Sequence, residues 1–557
     1  MSNFELERPE LIRRMAILWV VVCWLTPWHG LQAQSGHKLL SGARGVVRTS
    51  SGEPLEGIMV QLIAQKNGIR TTVYSNENGG YEFPKLATGA YTLRIAKPLE
   101  YQPYVKEAVQ INGSPQLEPI VLERVTKDEL LPPTPEIATQ LAGAEWMLNL
   151  PGTGQEKRTF TWACGFGCHS YQQIFRNRYD EQSWGLILER MLHYAGSPLI
   201  NRSPGRGRLS PEDETMLVKW LARVRGPDSK DMPFHVLPPP SGAATRAIVT
   251  EYELPRTLLA PHDVHGDSEG NIWYSPHRSP YIGKLDPRTG VVTEFRHPET
   301  PGALPGTHRI WVDKRDNEET VWASENWAHN LDALDPKTGK FRQFHIETDS
   351  PTNSPGFSNF ALDPQGYVYE TEFNAVIKID PKDGHIVKTY PLQKIRSTYD
   401  NMVSPDGKFW SGGQGGSNLI GLLDLESGKL DELHSRSVVT SPARGGFDFE
   451  DNAWYGGRGG QIIRLNAKTK KLDEFYPPTP YITFYEVLPD KNGEIWGGEL
   501  HGGRFVRFNP KTERWIEYVL PEPFSHNRRT WIDNSTDPVT IWYVDHNGYI
   551  VRIQPLE

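Results

Sequence analysis

The stretch Ala163-Cys-Gly-Phe-Gly-Cys-His169 carries the most specific chemistry in the chain. Two thiols and a following imidazole can attach a heme through two thioether bonds and ligate its iron through the histidine. Three residues separate Cys164 from Cys168, where heme attachment commonly uses two. Gly165 and Gly167 would let the longer loop fold tightly. A disulfide between Cys164 and Cys168 is the competing reading. It gives His169 no role, so heme c is the expected cofactor.

A second constellation lies far along the chain. Glu499 and His501 sit two residues apart, a spacing that shares one face of a strand. A carboxylate beside a base is what proton abstraction in an elimination requires. The expected catalytic pair is therefore His501 with Glu499.

These groups need elements to hold them. The chain has 557 residues, too many for one core, so several domains are expected. Its net charge of −8 argues against nucleic acid as a partner. Arg13 and Arg14 precede an apolar run from Met15 to Leu25, and small residues follow. Residues 1–33 therefore read as a signal peptide, and a periplasmic or secreted location is expected. Contact with a membrane would come only through an uncleaved signal. Cys23 falls inside that signal, so Cys164 and Cys168 are the mature protein's cysteines.

Residues 36–124 alternate short β runs with Gly/Asn turns, as in Ser75-Asn-Glu-Asn-Gly-Gly-Tyr-Glu-Phe83. The pattern resembles the carboxypeptidase regulatory-like domain, a transthyretin-like β-sandwich that serves mostly as a spacer or binding module. A Pro-rich link, Leu131-Pro-Pro-Thr-Pro-Glu136, then opens residues 136–236, whose pattern is helical. Ser210 followed by Pro211 and acidic residues is a helix start, and apolar spacing predicts a helix over 180–193. With the Cys-His motif, this segment resembles a small monoheme cytochrome c domain. That resemblance implies Met191 as second iron ligand beside His169, with His193 as runner-up and Met216 and Met232 behind it.

Residues 245–557 repeat. Asn271-Ile-Trp273, Thr320-Val-Trp322, Tyr367-Val-Tyr369, Lys408-Phe-Trp410, Asn452-Ala-Trp454, Glu494-Ile-Trp496 and Thr540-Ile-Trp542 recur at the period of a four-stranded blade. Seven units predict a seven-bladed β-propeller. The seventh unit has no outer strand after it, and Ile248–Leu254 is a spare copy expected to complete blade seven. The repeat and the phrase Val249-Thr-Glu-Tyr-Glu-Leu-Pro255 resemble the streptogramin lyases. That resemblance implies C–O elimination by a channel-mouth His, with a metal near Glu residues. Only Glu499-x-His501 matches the family's Glu-x-His pair, and Arg458 stands where the family has a second His.

The fold class expected is thus mainly β and multi-domain: sandwich, small helical domain, propeller. His262, His277, His308, Glu325, Glu372, Tyr399, Arg444, Arg458, Glu486, Arg529 and His546 are expected to line the propeller channel. Many carboxylates at one mouth would attract a divalent cation such as magnesium. The leading expectation is an exported heme-c electron-transfer protein whose propeller binds or oxidises a small molecule, with a redox partner protein. The alternatives are a streptogramin-lyase-like C–O eliminase, and a non-enzymatic module binding a glycan or a protein at the cell surface.

Overall fold

The computed structural model describes residues 39–165, 169–192, 209–256, 260–315, 318–353, 356–437, 440–522 and 524–557. The expected signal peptide, Cys168 and His193 lie outside them. Among the described residues no helix is long and apolar enough to cross a membrane.

The C-terminal strands form seven four-stranded antiparallel blades, with blades 5 and 6 joined by a parallel bridge between Arg444 and Glu486. Blade 1 opens with Pro261–Gly266, blade 2 with Thr307–Asp313, blade 3 with Ala361–Leu362, and blade 4 with Met402–Val403. Blades 5, 6 and 7 open with Pro442–Phe447, Thr483–Pro489 and Asn527–Asp533. The repeated tryptophan has a mechanical reason. An Asp in the turn after the innermost strand accepts the indole N–H: Trp273 to Asp267 at 3.0 Å, Trp454 to Asp448 at 2.8 Å, Trp496 to Asp490 at 2.9 Å. The same carboxylates also take backbone N–H groups of their own turns, so turn and indole are fixed together.

Ala247–Glu253 supplies the outer strand of blade 7. It pairs with Tyr549–Pro555 along its whole length, from Tyr549↔Glu253 to Pro555↔Ala247. Its other edge pairs with Arg70–Tyr74 of the sandwich, from Arg70↔Glu251 to Val73↔Ile248. Blade 7 and one sandwich sheet are therefore a single eight-stranded sheet. A strand paired on both sides leaves no open edge for a stranger to add to. Ile248 packs into the sandwich core with Val60 and Val73. Val249 faces the other way, among Trp496, Phe505 and Ile541.

The helical segment comprises short helices including Gly143–Asn149, Gly154–Cys164, Tyr171–Phe175, Glu181–Leu192 and Pro211–Val224. The last is capped by Ser210, whose Oγ accepts from Asp213 N at 3.1 Å. An aromatic core of Trp146, Phe160, Tyr171, Phe175, Trp184 and Trp220 holds the segment together. It docks on blades 5 and 6. Ala144 packs among Trp454, Ile482 and Phe484, and its N–H donates to the His501 carbonyl at 2.8 Å. Two glycines permit the approach. A Cβ on Gly143 would lie 2.8 Å from the Cβ of His501, and one on Gly165 would lie 2.8 Å from Thr483.

Candidate functional site

The same strand ends meet at the propeller axis. Counting back ten residues from the repeated aromatic gives Asp263, Asn359, Asp400, Arg444 and Glu486 in five blades. Counting back thirteen gives Arg309 and Arg529 in blades 2 and 7, whose turns are longer. These seven side chains form one buried ring in which three acids face three arginines. Arg529 joins all three acids: Asp263 at 3.2 Å, Asp400 at 3.0 Å and Glu486 at 3.0 Å. Arg444 donates to Asn359 at 2.6 Å and to His308 Nε2 at 3.2 Å. The axis at this level is a closed ion-pair network, where the sequence suggested an open channel.

One residue earlier on each inner strand lies the layer nearer the mouth, with His262, His308, Tyr399, Tyr485 and Arg528. His262 Nδ1 lies 2.8 Å from Asp263 Oδ1 and 3.1 Å from the His308 carbonyl. Both are acceptors, so Nδ1 carries the proton and Nε2 is bare. Nε2 accordingly takes the Tyr485 hydroxyl at 2.7 Å. Tyr485 in turn accepts from the Tyr399 hydroxyl at 3.3 Å. Burial, then Arg444 and His277, hold His262 well below its ordinary pKa, so the imidazole is neutral.

Arginines crowd the phenols. Arg444 lies 4.8 Å from the Tyr399 ring and 5.0 Å from that of Tyr485; Arg458 lies 4.6 Å from Tyr399, and Arg528 lies 5.0 Å from Tyr485. Burial opposes ionisation of Tyr399, but the charges of Arg444, Arg458 and Arg528 bring it down to about 8. Tyr399, His277, Arg528 and His546 are half-buried, while Arg278 and Arg396 are exposed. The mouth is therefore basic and suits an anion.

This corrects the expected cation site. Glu325, Glu372, Glu499 and Asp545 lie at or next to the ends of the second strands, three residues after the aromatic, and the partners found for them are not those of the axial ring. Glu325 accepts from Asn330 and Gln343. Glu372 accepts from the Asp349 N–H, and Asp545 from those of His526 and Asn547. Burial, then Glu517, raises Glu499 well above the ordinary carboxylate range. A divalent cation does not fit an axis mouth walled by guanidinium groups. A different cluster has metal-type donors: His297, Glu325 and Asp332, with ligand atoms within 4.8 Å of one another. Thr307, Asn330 and Gln343 already hydrogen-bond that trio.

The expected catalytic pair is also re-sited. His501 does not follow Glu499 along a strand; it sits in the next turn with φ +70°. Its ring stacks on Tyr171 at 3.7 Å, beneath the helical segment. Burial, then His169, pushes it down to about 3. The imidazole series continues from there: His501 to His526 at 6.3 Å, and His526 to His546 at 5.1 Å, between ring centres. Among the described residues, His501 Nε2, His526 Nε2, His546 Nδ1 and Arg528 Nε have no hydrogen-bond partner. Buried polar atoms without partners are costly, and a ligand would satisfy them.

Cys164 ends its helix half-buried, and His169 is half-buried before Tyr171. His169 Nδ1 lies 3.2 Å from the Ser170 carbonyl, which leaves Nε2 for iron. Cys164 and His169 are the described residues that would hold a heme at this motif. Met191, at the end of its helix, is 41% exposed, so the described structure does not aim it at His169.

The buried groups set an expected pH dependence. Burial, above all, raises Glu251 to about 8, Glu372 to about 9, Glu325 and Glu370 to about 7, and Asp400 and Asp545 to about 6. The folded protein keeps protons on these groups that the unfolded chain has lost, so their contribution to stability falls as pH rises from the ordinary carboxylate range, about 4, through the folded values of about 6 to 9. Burial lowers His265 and His277 to about 3, so the unfolded chain binds the extra protons below their ordinary value near 6.5, and stability falls toward acid. Denaturant midpoints should peak on the acid side of neutrality. A midpoint climbing steadily to about pH 9 would contradict these assignments.

Comparison with known proteins adds the following. No curated protein matches the chain. Among solved structures, virginiamycin B lyase from Staphylococcus aureus is 19% identical with a TM-score of 0.48, covering 55% of this chain and 99% of that one. A streptogramin B lyase structure is 21% identical with a TM-score of 0.48, covering 57% and 100%. A chain of the mitotic checkpoint complex is 10% identical with a TM-score of 0.43, covering 55% and 90%. A family model for the carboxypeptidase regulatory-like domain matches residues 42–122. The sandwich joined to blade 7 is thus a carboxypeptidase regulatory-like domain.

Proposed function

We propose that the chain is an exported heme-c protein whose propeller mouth takes a small anionic molecule and exchanges electrons with it. The observation that supports this is that the described residues flanking the motif dock on blade 6: Thr483 donates its hydroxyl to the Gly165 carbonyl at 2.9 Å, and Tyr171 stacks on His501 at 3.7 Å. Cys164 and Cys168 would hold the group and His169 Nε2 its iron; bound there, heme supplies one-electron chemistry. The chain's own residues supply the rest. Arg528 and Arg278 bind the anion, and the Tyr171–His501 stack closes the blade 6 side against water. The test is a reduced absorption spectrum of the full chain made with heme-c maturation machinery. A covalent α band that disappears in Cys164→Ser is expected. A colourless protein would overturn the reading.

A second reading is C–O elimination at the same mouth. The half-buried Tyr399 favours it, because elimination needs a base that His501, covered by Tyr171, is not placed to provide.

A further inference from the structure

We propose that Tyr399 is a general base for a small anionic substrate at the propeller mouth, positioned by the chain Tyr485–His262–Asp263. The proposal rests on the mouth being the ligand site and is independent of the heme.

Three observations carry it. The first is direction. Asp263 and the His308 carbonyl fix the proton on His262 Nδ1, so Tyr485 must donate inward to Nε2. The Tyr485 oxygen is left facing Tyr399 at 3.3 Å. The phenol of Tyr399 is thus the outer end of a hydrogen-bonded chain in which the Tyr485 hydroxyl lies between two acceptors, and it alone of the four is half-buried instead of buried. The second is charge. Arg444 and Arg458 from blade 5 and Arg528 from blade 7 surround the phenols, while Asp263, Asp400 and Glu486 below are tied to Arg529. The acids are neutralised from beneath, so the positive field of Arg444, Arg458 and Arg528 acts on the phenols and favours a phenolate. The third is want of a partner. Arg528 Nε and His526 Nε2 have no hydrogen bond among the described residues, and His526 is 2% exposed.

In the step, a C–H or O–H bond of the substrate breaks and the proton joins Tyr399 Oη. The electron pair stays on the substrate or expels its leaving group, beside Arg458 and Arg528. Tyr485 turns its hydroxyl to the phenolate before the transfer and back to His262 after it.

The experiment uses the full chain, inorganic phosphate as the anion, and 5-nitrobenzisoxazole as a substrate that needs only a base. In that substrate the ring C–H proton goes to Tyr399, the N–O bond breaks, and its electron pair ends on the product phenolate. Tyrosinate absorbance should show one of the 22 tyrosines ionising well before the rest. Phosphate should raise that midpoint. Ring opening should follow the same midpoint and fall about a hundredfold in Tyr399→Phe. His262→Gln should shift the midpoint while leaving the fold intact, which a purely structural role would not do. Arg458→Gln should raise it, and serves if Tyr399→Phe fails to fold. No early tyrosine, an early tyrosine surviving in Tyr399→Phe, or indifference to phosphate would each overturn the proposal.

Discussion

Deleting Ala247–Glu253 is expected to unfold blade 7 and the sandwich together. The strand is hydrogen-bonded to Tyr549–Pro555 on one edge and Arg70–Val73 on the other, so its loss opens two sheet edges at once. Ile248, Val249 and Tyr252 are buried, and each contributes about 1.5–3 kcal/mol of apolar burial. Point changes separate the two sides. Ile248→Asp places a carboxylate in the sandwich core, and Val249→Asp places one against blades 6 and 7. Burying an unpaired charge costs several kcal/mol in either place. Both variants should therefore melt well below the parent in calorimetry, with sandwich and propeller transitions shifting together. If the sandwich alone moved in Ile248→Asp, the shared strand would not couple the two.

Arg529→Gln should cost about 3–5 kcal/mol, because it removes the cation common to three buried carboxylates. The loss should depend on pH in a definite sense. Burial already raises Asp400 to about 6 and carries Glu486 well above the ordinary carboxylate range. Without Arg529 these acids would ionise at still higher pH, so folded molecules bind protons the unfolded chain does not. The deficit relative to the parent should shrink as pH falls from about 8 to about 5.5. Urea denaturation at the two pH values reads it, and an equal deficit at both would show that Arg529 does not neutralise the ring.

The repeat made the blades legible, because a Trp at fixed spacing is a local signal that each blade restates. The strand 247–253 was legible as a spare copy, but its second partner was not: nothing in Ile248–Val249 announces that alternate residues enter different cores. The ionic ring was one register away. Selecting polar residues near strand starts mixed two layers, taking His262 with Arg529. Counting ten or thirteen residues back from every aromatic separates them and finds Asp263, Arg309, Asn359 and Asp400. Glu499 with His501 misled because both were assigned to one strand, whereas the strand ends at Leu500 and the next residue turns into a left-handed conformation. The cover over His501 is a contact between residues 330 apart in the chain, Tyr171 and His501, which no local pattern encodes.

The central claim is that the Cys164–His169 region and the propeller mouth work as one unit. A potentiometric titration of the heme, with and without saturating inorganic phosphate, tests it most directly. An anion held beside Arg528 stabilises the oxidised iron, so the midpoint potential should fall with phosphate in the parent and stay put in Arg528→Gln. A midpoint indifferent to phosphate in the parent, or a chain that carries no heme to titrate, would contradict the account.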